Sequence, residues 1–429
     1  MDSPISPVTT AHVSGEPGAA GGPGARVEPG PVTFVFLEIF SGEGGIQSYV
    51  RDLFRAYLEV ADGAPADVFL LRDRPDMDNP YDRAPLRFHY LASANAALGR
   101  LRLVAALLGH LVRRRPSRVV CGHALLLPVV APLCRWLKLP YTVITYGKEV
   151  WEPLPPRDQG LLRRADQVWA ISRYSRDRAC AANQIDPARV VMVPCAVDGA
   201  VFTPGPPDPE LVATYGLTQG PVLLTVARLW SGDIYKGVDV TIRALPAIAA
   251  AVPTVKYLVI GRGDDQPRLA ALAQDLGVCD RVIFAGFVPT AALAAHYRLA
   301  DAYIMPSQEG FGIVYLEAMA CGVPVLAGDQ DGSADPLQDG RLGWRVPHRD
   351  PEAVATACLE MLAGLDPRCQ GAELRQATLM AFGPQALAEQ LRLALGPLRP
   401  PDPSATIQGD ARRPLTPLHG DHPCEPKSP

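Results

Sequence analysis

The stretch from Met305 to Gly332, MPSQEGFGIVYLEAMACGVPVLAGDQDG, constrains the fold more than any other part of the chain. Pro306, Ser307 and Gly310 break an apolar strand, and Gly312 opens a short helix that runs through Ala320. Cys321-Gly322 closes that helix with a left-handed cap, and Pro324 to Ala327 is apolar enough to be the next buried strand. Glu309 stands in the turn, and Glu317 lies eight positions later, inside the helix. A helix N-terminus preceded by small residues offers free backbone N–H groups and a positive dipole end, which suits phosphate. A carboxylate one turn further in can accept paired hydrogen bonds from a ribose diol, and one at the lip can hold a sugar. Two solvated glutamates on an ordinary βα unit are the plain alternative. The flanking Gly310, Phe311 and Gly312 and the apolar helix weigh against it.

Length and charge narrow the class. A chain of 429 residues is long enough for two domains of ordinary size. A net charge of −4 leaves no overall footprint for nucleic acid. The nine cysteines are scattered without a C-x2-C pair, which points to reduced thiols in a cytoplasmic protein and not to a disulfide framework or zinc site. The N-terminus lacks a secretory pattern, and no apolar run is long enough to span a bilayer.

In chain order, residues 1–30 and 399–429 are rich in Gly, Pro and Ala or in Pro and charge, and are expected to be disordered tails. Order begins with the apolar strand VTFVF at Val32. The turn SGEGG follows, in which Gly44 and Gly45 let the backbone of a helix start come close to a diphosphate. Strands are expected over Asp67–Leu71 and Leu86–Leu91, and a helix over Asn95–Arg114. That helix has one apolar face bordered by Arg100, Arg102 and Arg113. It is read as core-facing, with a membrane-surface role as the alternative. RVVCGHA ends a buried strand at His123, where open α/β sheets hold ligands, and TVITYGKEVW leads from a strand into a loop where Glu149 could face an acceptor. The Pro/Gly cluster Pro204–Pro209 is the natural boundary, giving a first domain over 31–204 and a second over 205–382. PVLLTV then leads to a loop carrying Arg228 and Lys236 before a helix at Gly237, a setting in which both cations can converge on a diphosphate. Gly261-Arg262-Gly263 is half a dinucleotide fingerprint, but Gln266 stands where the third glycine belongs, so a dehydrogenase is disfavoured. Asp76-Met77-Asp78 and Asp329-Gln330-Asp331 are D-x-D tripeptides without further ligands nearby, and no required metal or other cofactor is expected.

The segment EGFGIVYLEAMACGVPV, with VARL and YKG upstream, resembles the signature of retaining glycosyltransferases of family 4 (glycosyl transferases group 1), over about Val32 to Leu398. The resemblance implies a GT-B fold: two Rossmann-like α/β domains with parallel sheets facing across a cleft, and a helix at 383–398 crossing back to the first domain. It implies a nucleotide-diphosphate sugar as co-substrate, held by Gly44, Gly45, Gly310, Phe311, Gly312 and Glu317. Glu309, Arg228, Lys236 and His123 are then the groups at the reacting centre, and the acceptor is a hydroxyl of a glycan, glycolipid or small molecule. Relatives often carry His where this chain has Tyr146, which leaves that loop's role open. Val288, Pro289 and Thr290 offer no acidic side chain to the base, which favours uridine over guanosine. Bacterial polysaccharide or glycolipid assembly is the expected setting, with peripheral contact at the inner face of a membrane left open. The rivals are a nucleotide-sugar 2-epimerase, a pyridoxal-phosphate phosphorylase of similar fold, for which no lysine context is seen, and a non-catalytic sugar- or nucleotide-binding module.

Overall fold

The computed structural model of the chain describes residues 31–396, so both tails and the end of the crossover segment lie outside the described residues. The first lobe is built on β1 (Val32–Phe36), β2 (Ala66–Leu70), β3 (Leu86–Tyr90), β4 (Arg118–Cys121), β5 (Tyr141–Thr145), β6 (Gln167–Ala170) and β7 (Val190–Met192). These strands are parallel, in the order β3-β2-β1-β4-β5-β6-β7. The second lobe repeats the plan with β8 (Val222–Val226), β9 (Lys256–Ile260), β10 (Val282–Gly286), β11 (Ala302–Met305), β12 (Val325–Gly328) and β13 (Trp344–Val346). Their order is β10-β9-β8-β11-β12-β13, again all parallel.

Strands covered on both faces favour apolar residues, and VTFVF supplies them at every position but Thr33, whose buried hydroxyl lies 3.0 Å from His110 Nε2. Phe34 and Phe36 enter one core cluster, while Val35 joins the other together with Phe69. The helix Ala96–Arg114 begins where Asn95 Oδ1 accepts the N–H groups of Ala97 (2.8 Å) and Leu98 (3.2 Å). It buries Gly99, Leu103, Leu107 and Leu111, one per turn, so it faces the core. Its outer face leaves Leu98, Leu101 and Val112 exposed among arginines. No helix among the described residues is long and apolar enough to cross a membrane.

The chain crosses between lobes after β7 and returns at the end. Val197 N–H donates to the Phe382 carbonyl (2.9 Å), and helix Pro384–Leu395 lies on helix Gly45–Val60 of the first lobe, burying Leu387, Leu391 and Leu395. In each sheet the strand order reverses between two neighbours, β1/β4 in the first and β8/β11 in the second. Loops leaving the carboxyl ends of such strands part there and open a crevice. The loops singled out by sequence leave three of these four strands and, with His123, the fourth.

Candidate active site

The first wall of the crevice follows β1. Asp73, buried after β2, accepts the backbone N–H groups of Ile39 (2.6 Å), Phe40 (3.1 Å) and Ser41 (2.8 Å), which fixes the turn before Gly44 and Gly45. Helix Gly45–Val60 then starts with its N-terminus in the cleft, and no side chain caps it. Three free amides held by one carboxylate are an anchor that sequence reading missed, because Asp73 lies 32 or more positions from its partners.

The opposite wall follows β8. Arg228 pairs with Asp233 (3.0 Å) and lies over the Trp230 ring (4.7 Å). The segment carrying it is zipped onto the Gly261–Gly263 turn: Ala227 N–H donates to Ile260 O (2.9 Å), Leu229 N–H to Arg262 O (3.1 Å) and Asp265 N–H to Leu229 O (2.8 Å). A Cβ on Gly261 would sit 1.8 Å from the Ala227 carbonyl oxygen, and one on Gly263 2.0 Å from that of Leu229. The G-x-G pattern therefore serves close backbone approach between two loops.

β11 ends in the turn of Glu309. Gln308 N–H donates to Tyr235 O (3.0 Å), which ties this turn to the Arg228–Lys236 loop, and Lys236 forms an ion pair with Glu309 in which both side chains are about 15% exposed. Asp331 holds the turn from behind, accepting the N–H of Glu309 (2.7 Å) and that of Ser333 (2.9 Å). Burial pushes the Asp331 carboxyl up to about 6. This member of the second D-x-D tripeptide is committed to the backbone, and Asp76 of the first is paired with Arg74 (2.5 Å). Helix Ile313–Ala320 ends in a Schellman cap, with Gly322 N–H on Met319 O (2.9 Å) and Val323 N–H on Ala318 O (3.0 Å), as the Cys321-Gly322 pair predicts.

Between the walls lies a cavity of about 1040 Å³. Gly44, Gly45, Arg228, Lys236 and Glu309 all line it, as do Gly310, Phe311 and Gly312, whose anchoring comes from the Phe311 ring set edge-on to Phe382 (5.7 Å). Two expected groups stand apart. Glu317 is buried and accepts the Tyr297 hydroxyl (2.7 Å); burial pushes its carboxyl up to about 7, and it does not line the cavity. His123 Nδ1 accepts the N–H of Leu125 (3.1 Å), its ring lies 6.1 Å from that of Tyr146, and burial lowers its basicity; it too is absent from the lining. Glu149 does line the cavity, but one of its oxygens accepts the N–H of Tyr146 (2.5 Å).

Sequence reading also missed Lys148. It reaches from the first lobe to the Tyr235 ring of the second, and partial burial lowers its basicity. Nearby, the Gly310 carbonyl accepts the hydroxyls of Ser172 (2.5 Å) and Ser175 (3.1 Å), while Arg173 of the first lobe pairs with Asp335 and Asp339 of the second. The lobes are thus held together beside Gly310, at one end of the cleft.

Comparison with known proteins agrees with this geometry. A family model described as glycosyl transferases group 1 matches residues 220–364, and one described as glycosyl transferase 4-like domain matches residues 44–196. The GDP-mannose-dependent alpha-(1-6)-phosphatidylinositol monomannoside mannosyltransferase of Mycolicibacterium smegmatis is 38% identical over 264 residues, covering 58% of this chain and 67% of that one. The GDP-mannose-dependent monoacylated alpha-(1-6)-phosphatidylinositol monomannoside mannosyltransferase of Corynebacterium glutamicum is 29% identical over 336 residues, 74% of this chain and 85% of that one. Among solved structures, sucrose-phosphate synthase from Thermosynechococcus elongatus superposes with a TM-score of 0.66 over 85% of this chain and 98% of its own. At 23% identity that likeness speaks for the fold alone, which is GT-B.

Proposed function

This chain is a member of the group 1 glycosyl transferases and uses a nucleotide sugar, and on that premise we propose that it is a retaining, metal-independent mannosyltransferase acting from GDP-mannose on a hydroxyl of a phosphoinositide-type glycolipid. The observation that carries the reading is the junction of β8 and β11. There Arg228, Lys236 and Glu309 come together on one wall of the cavity, facing the uncapped helix start at Gly44-Gly45. The names of the two mannosyltransferases support the donor and the acceptor class. They set guanosine ahead of uridine, the base favoured by Val288–Thr290 alone.

In this account the diphosphate lies between Gly44-Gly45 and Arg228/Lys236. It takes Lys236 away from Glu309, which leaves that carboxylate free for the sugar. The bond from the anomeric carbon to the β-phosphate oxygen breaks through an oxocarbenium-like state, and the electron pair leaves with the diphosphate. Arg228, Lys236 and the helix dipoles stabilise the developing charge as preorganised groups. The acceptor hydroxyl forms its bond on the same face and passes its proton to the departing phosphate oxygen. Glu317, held by the Tyr297 hydroxyl behind this wall, supports the helix Ile313–Ala320 and does not reach the donor itself. Contact between the lobes through Gly310 limits water. Exposed Leu98, Leu101 and Val112 beside Arg100, Arg102 and Arg113 suit peripheral contact with an anionic leaflet that presents the lipid.

Thermal shift with GDP, UDP and ADP, each with and without EDTA, tests the binding half of this account. A ligand specific for the folded state at a hundred times its dissociation constant adds about 2.7 kcal/mol. The largest shift is expected with GDP and is expected to survive EDTA. No shift with any nucleotide would remove the donor-site assignment, and a shift lost with EDTA would remove metal independence.

A further inference from the structure

We infer that Arg262 selects guanine as the donor base by taking its O6 and N7 in a bidentate grip. This rests on the reading above that the cleft binds a nucleotide sugar, and adds to it the residue that sets the base.

The order of strands places the subsites. β11, β8, β9 and β10 are consecutive neighbours, and the loops leaving their carboxyl ends carry Glu309, Arg228, Arg262 and Phe287 in that order. Three strand spacings separate the first from the last, about 14 Å. A donor lying across these ends with its sugar at Glu309 and its diphosphate at Arg228 brings its base to Arg262 and Phe287, both of which line the same cavity.

The local structure there is unfinished in a specific way. The backbone of Arg262 is fixed, since its carbonyl accepts the Leu229 N–H (3.1 Å) and glycines on either side abut the Arg228 loop. Its guanidinium lies 4.6 Å from the centroid of the Phe287 ring. Among the described residues its side chain forms no ion pair and no hydrogen bond. Arg228 has Asp233 and Lys236 has Glu309, but Arg262 has an aromatic ring and free donors. Phe287 is 49% exposed, a large apolar ring left open to solvent at the rim of a cleft. A ring beside a planar fork of N–H donors is complementary to a flat ligand edge with two adjacent acceptors. Guanine offers that edge in O6 and N7, whereas adenine pairs an acceptor with a donor there. Uracil has its two carbonyls separated by an N–H, so the fork can satisfy only one at a time.

The test is titration calorimetry of GDP, UDP and 7-deaza-GDP against the full chain and its Arg262→Leu and Phe287→Leu variants. The unchanged protein is expected to bind GDP at least about tenfold more tightly than UDP, and to lose about ten- to hundredfold on removal of N7. Arg262→Leu is expected to weaken GDP by the same factor, to leave UDP within twofold, and to bind GDP and 7-deaza-GDP alike. Phe287→Leu is expected to weaken GDP less than Arg262→Leu does. Equal weakening of GDP and UDP in Arg262→Leu would overturn the inference, as would indifference of the unchanged protein to the N7 atom. Both results leave the nucleotide-sugar reading standing, and only failure of the unchanged protein to bind any nucleotide would remove that as well.

Discussion

The ammonium of Lys148 sits 3.2 Å from the centroid of the Tyr235 ring, so a charge on the first lobe is seated on an aromatic face of the second. Tyr235 belongs to the same loop as Lys236, whose partner is Glu309. The contact between the lobes and the Lys236–Glu309 pair therefore share one loop.

A cation–π contact of this kind contributes on the order of 0.5–2 kcal/mol, enough to shift an open–closed equilibrium by roughly two- to thirtyfold. Lys148→Met is expected to populate a more open form without donor. Small-angle scattering should then give a larger radius of gyration for the variant, and the difference should shrink when GDP is added. Identical scattering curves would show that the contact does not hold the lobes.

Gly310 is the second point of contact. A Cβ there would lie 2.7 Å from the Tyr146 carbonyl oxygen and 3.4 Å from Ser175 Oγ, both on the first lobe. Gly310→Ala is expected to keep the lobes from meeting while leaving the Arg228 and Lys236 wall intact. Turnover should fall on the order of a hundredfold, as displacements near 1 Å do, with GDP affinity unchanged within a few fold. Loss of affinity and turnover in parallel would contradict this split.

Lys236 and Glu309 should separate binding from chemistry. Arg228→Ala and Lys236→Met each remove a charged donor to the diphosphate, expected to cost GDP affinity about ten- to hundredfold. Glu309→Gln removes the internal competitor of Lys236. Its GDP affinity is expected to be equal to or tighter than that of the unchanged protein, while transfer falls by about a hundredfold or more. Calorimetry and initial rates on the same preparations decide this.

Much of this arrangement is legible in the residues. The Cys321-Gly322 cap and the helix start at Gly45 depend on nearest neighbours in sequence, and both fall where expected. The convergence of Arg228, Lys236 and Glu309 follows from a strand order that a resemblance can supply. The buried anchors were not legible. Asp73 and Asp331 look like loop acids, yet they hold amides 32 and 22 positions away, and only the tertiary structure brings those together. Lys148 reads as a surface lysine until the second lobe places Tyr235 beneath it. The base end is incomplete in sequence for a related reason. The loop Val288–Thr290 lacks an acid, but the neighbouring strand end brings Arg262 over the Phe287 ring beside it, a pairing that sequence distance hides.

Glu317 carries a testable pH dependence. Burial raises its carboxyl from the ordinary 4.5 to about 7, against the lowering effect of the Tyr297 hydroxyl bond. A raised folded-state value means that the favourable protonated contribution is full below about pH 4.5 and is lost as pH rises through 7. Above that, the native state bears a cost of up to about 3 kcal/mol for the buried charge. Glu317→Gln keeps an acceptor for Tyr297 and lacks the charge. It is expected to melt with the unchanged protein near pH 4.5 and several degrees above it at pH 8. A melting difference independent of pH would show that Glu317 does not titrate in this range.

The most direct measurement is transfer itself. Radiolabelled GDP-mannose should be incubated with a phosphatidylinositol mannoside in anionic vesicles, with the unchanged protein and with Glu309→Gln, and the anomer of the new linkage assigned by NMR. Label is expected in the lipid with the α configuration of the donor kept, in the presence of EDTA, and reduced about a hundredfold or more in the variant. Equal transfer by both proteins, or an inverted product, would contradict the assignment of this cleft as a retaining transferase centred on Lys236 and Glu309.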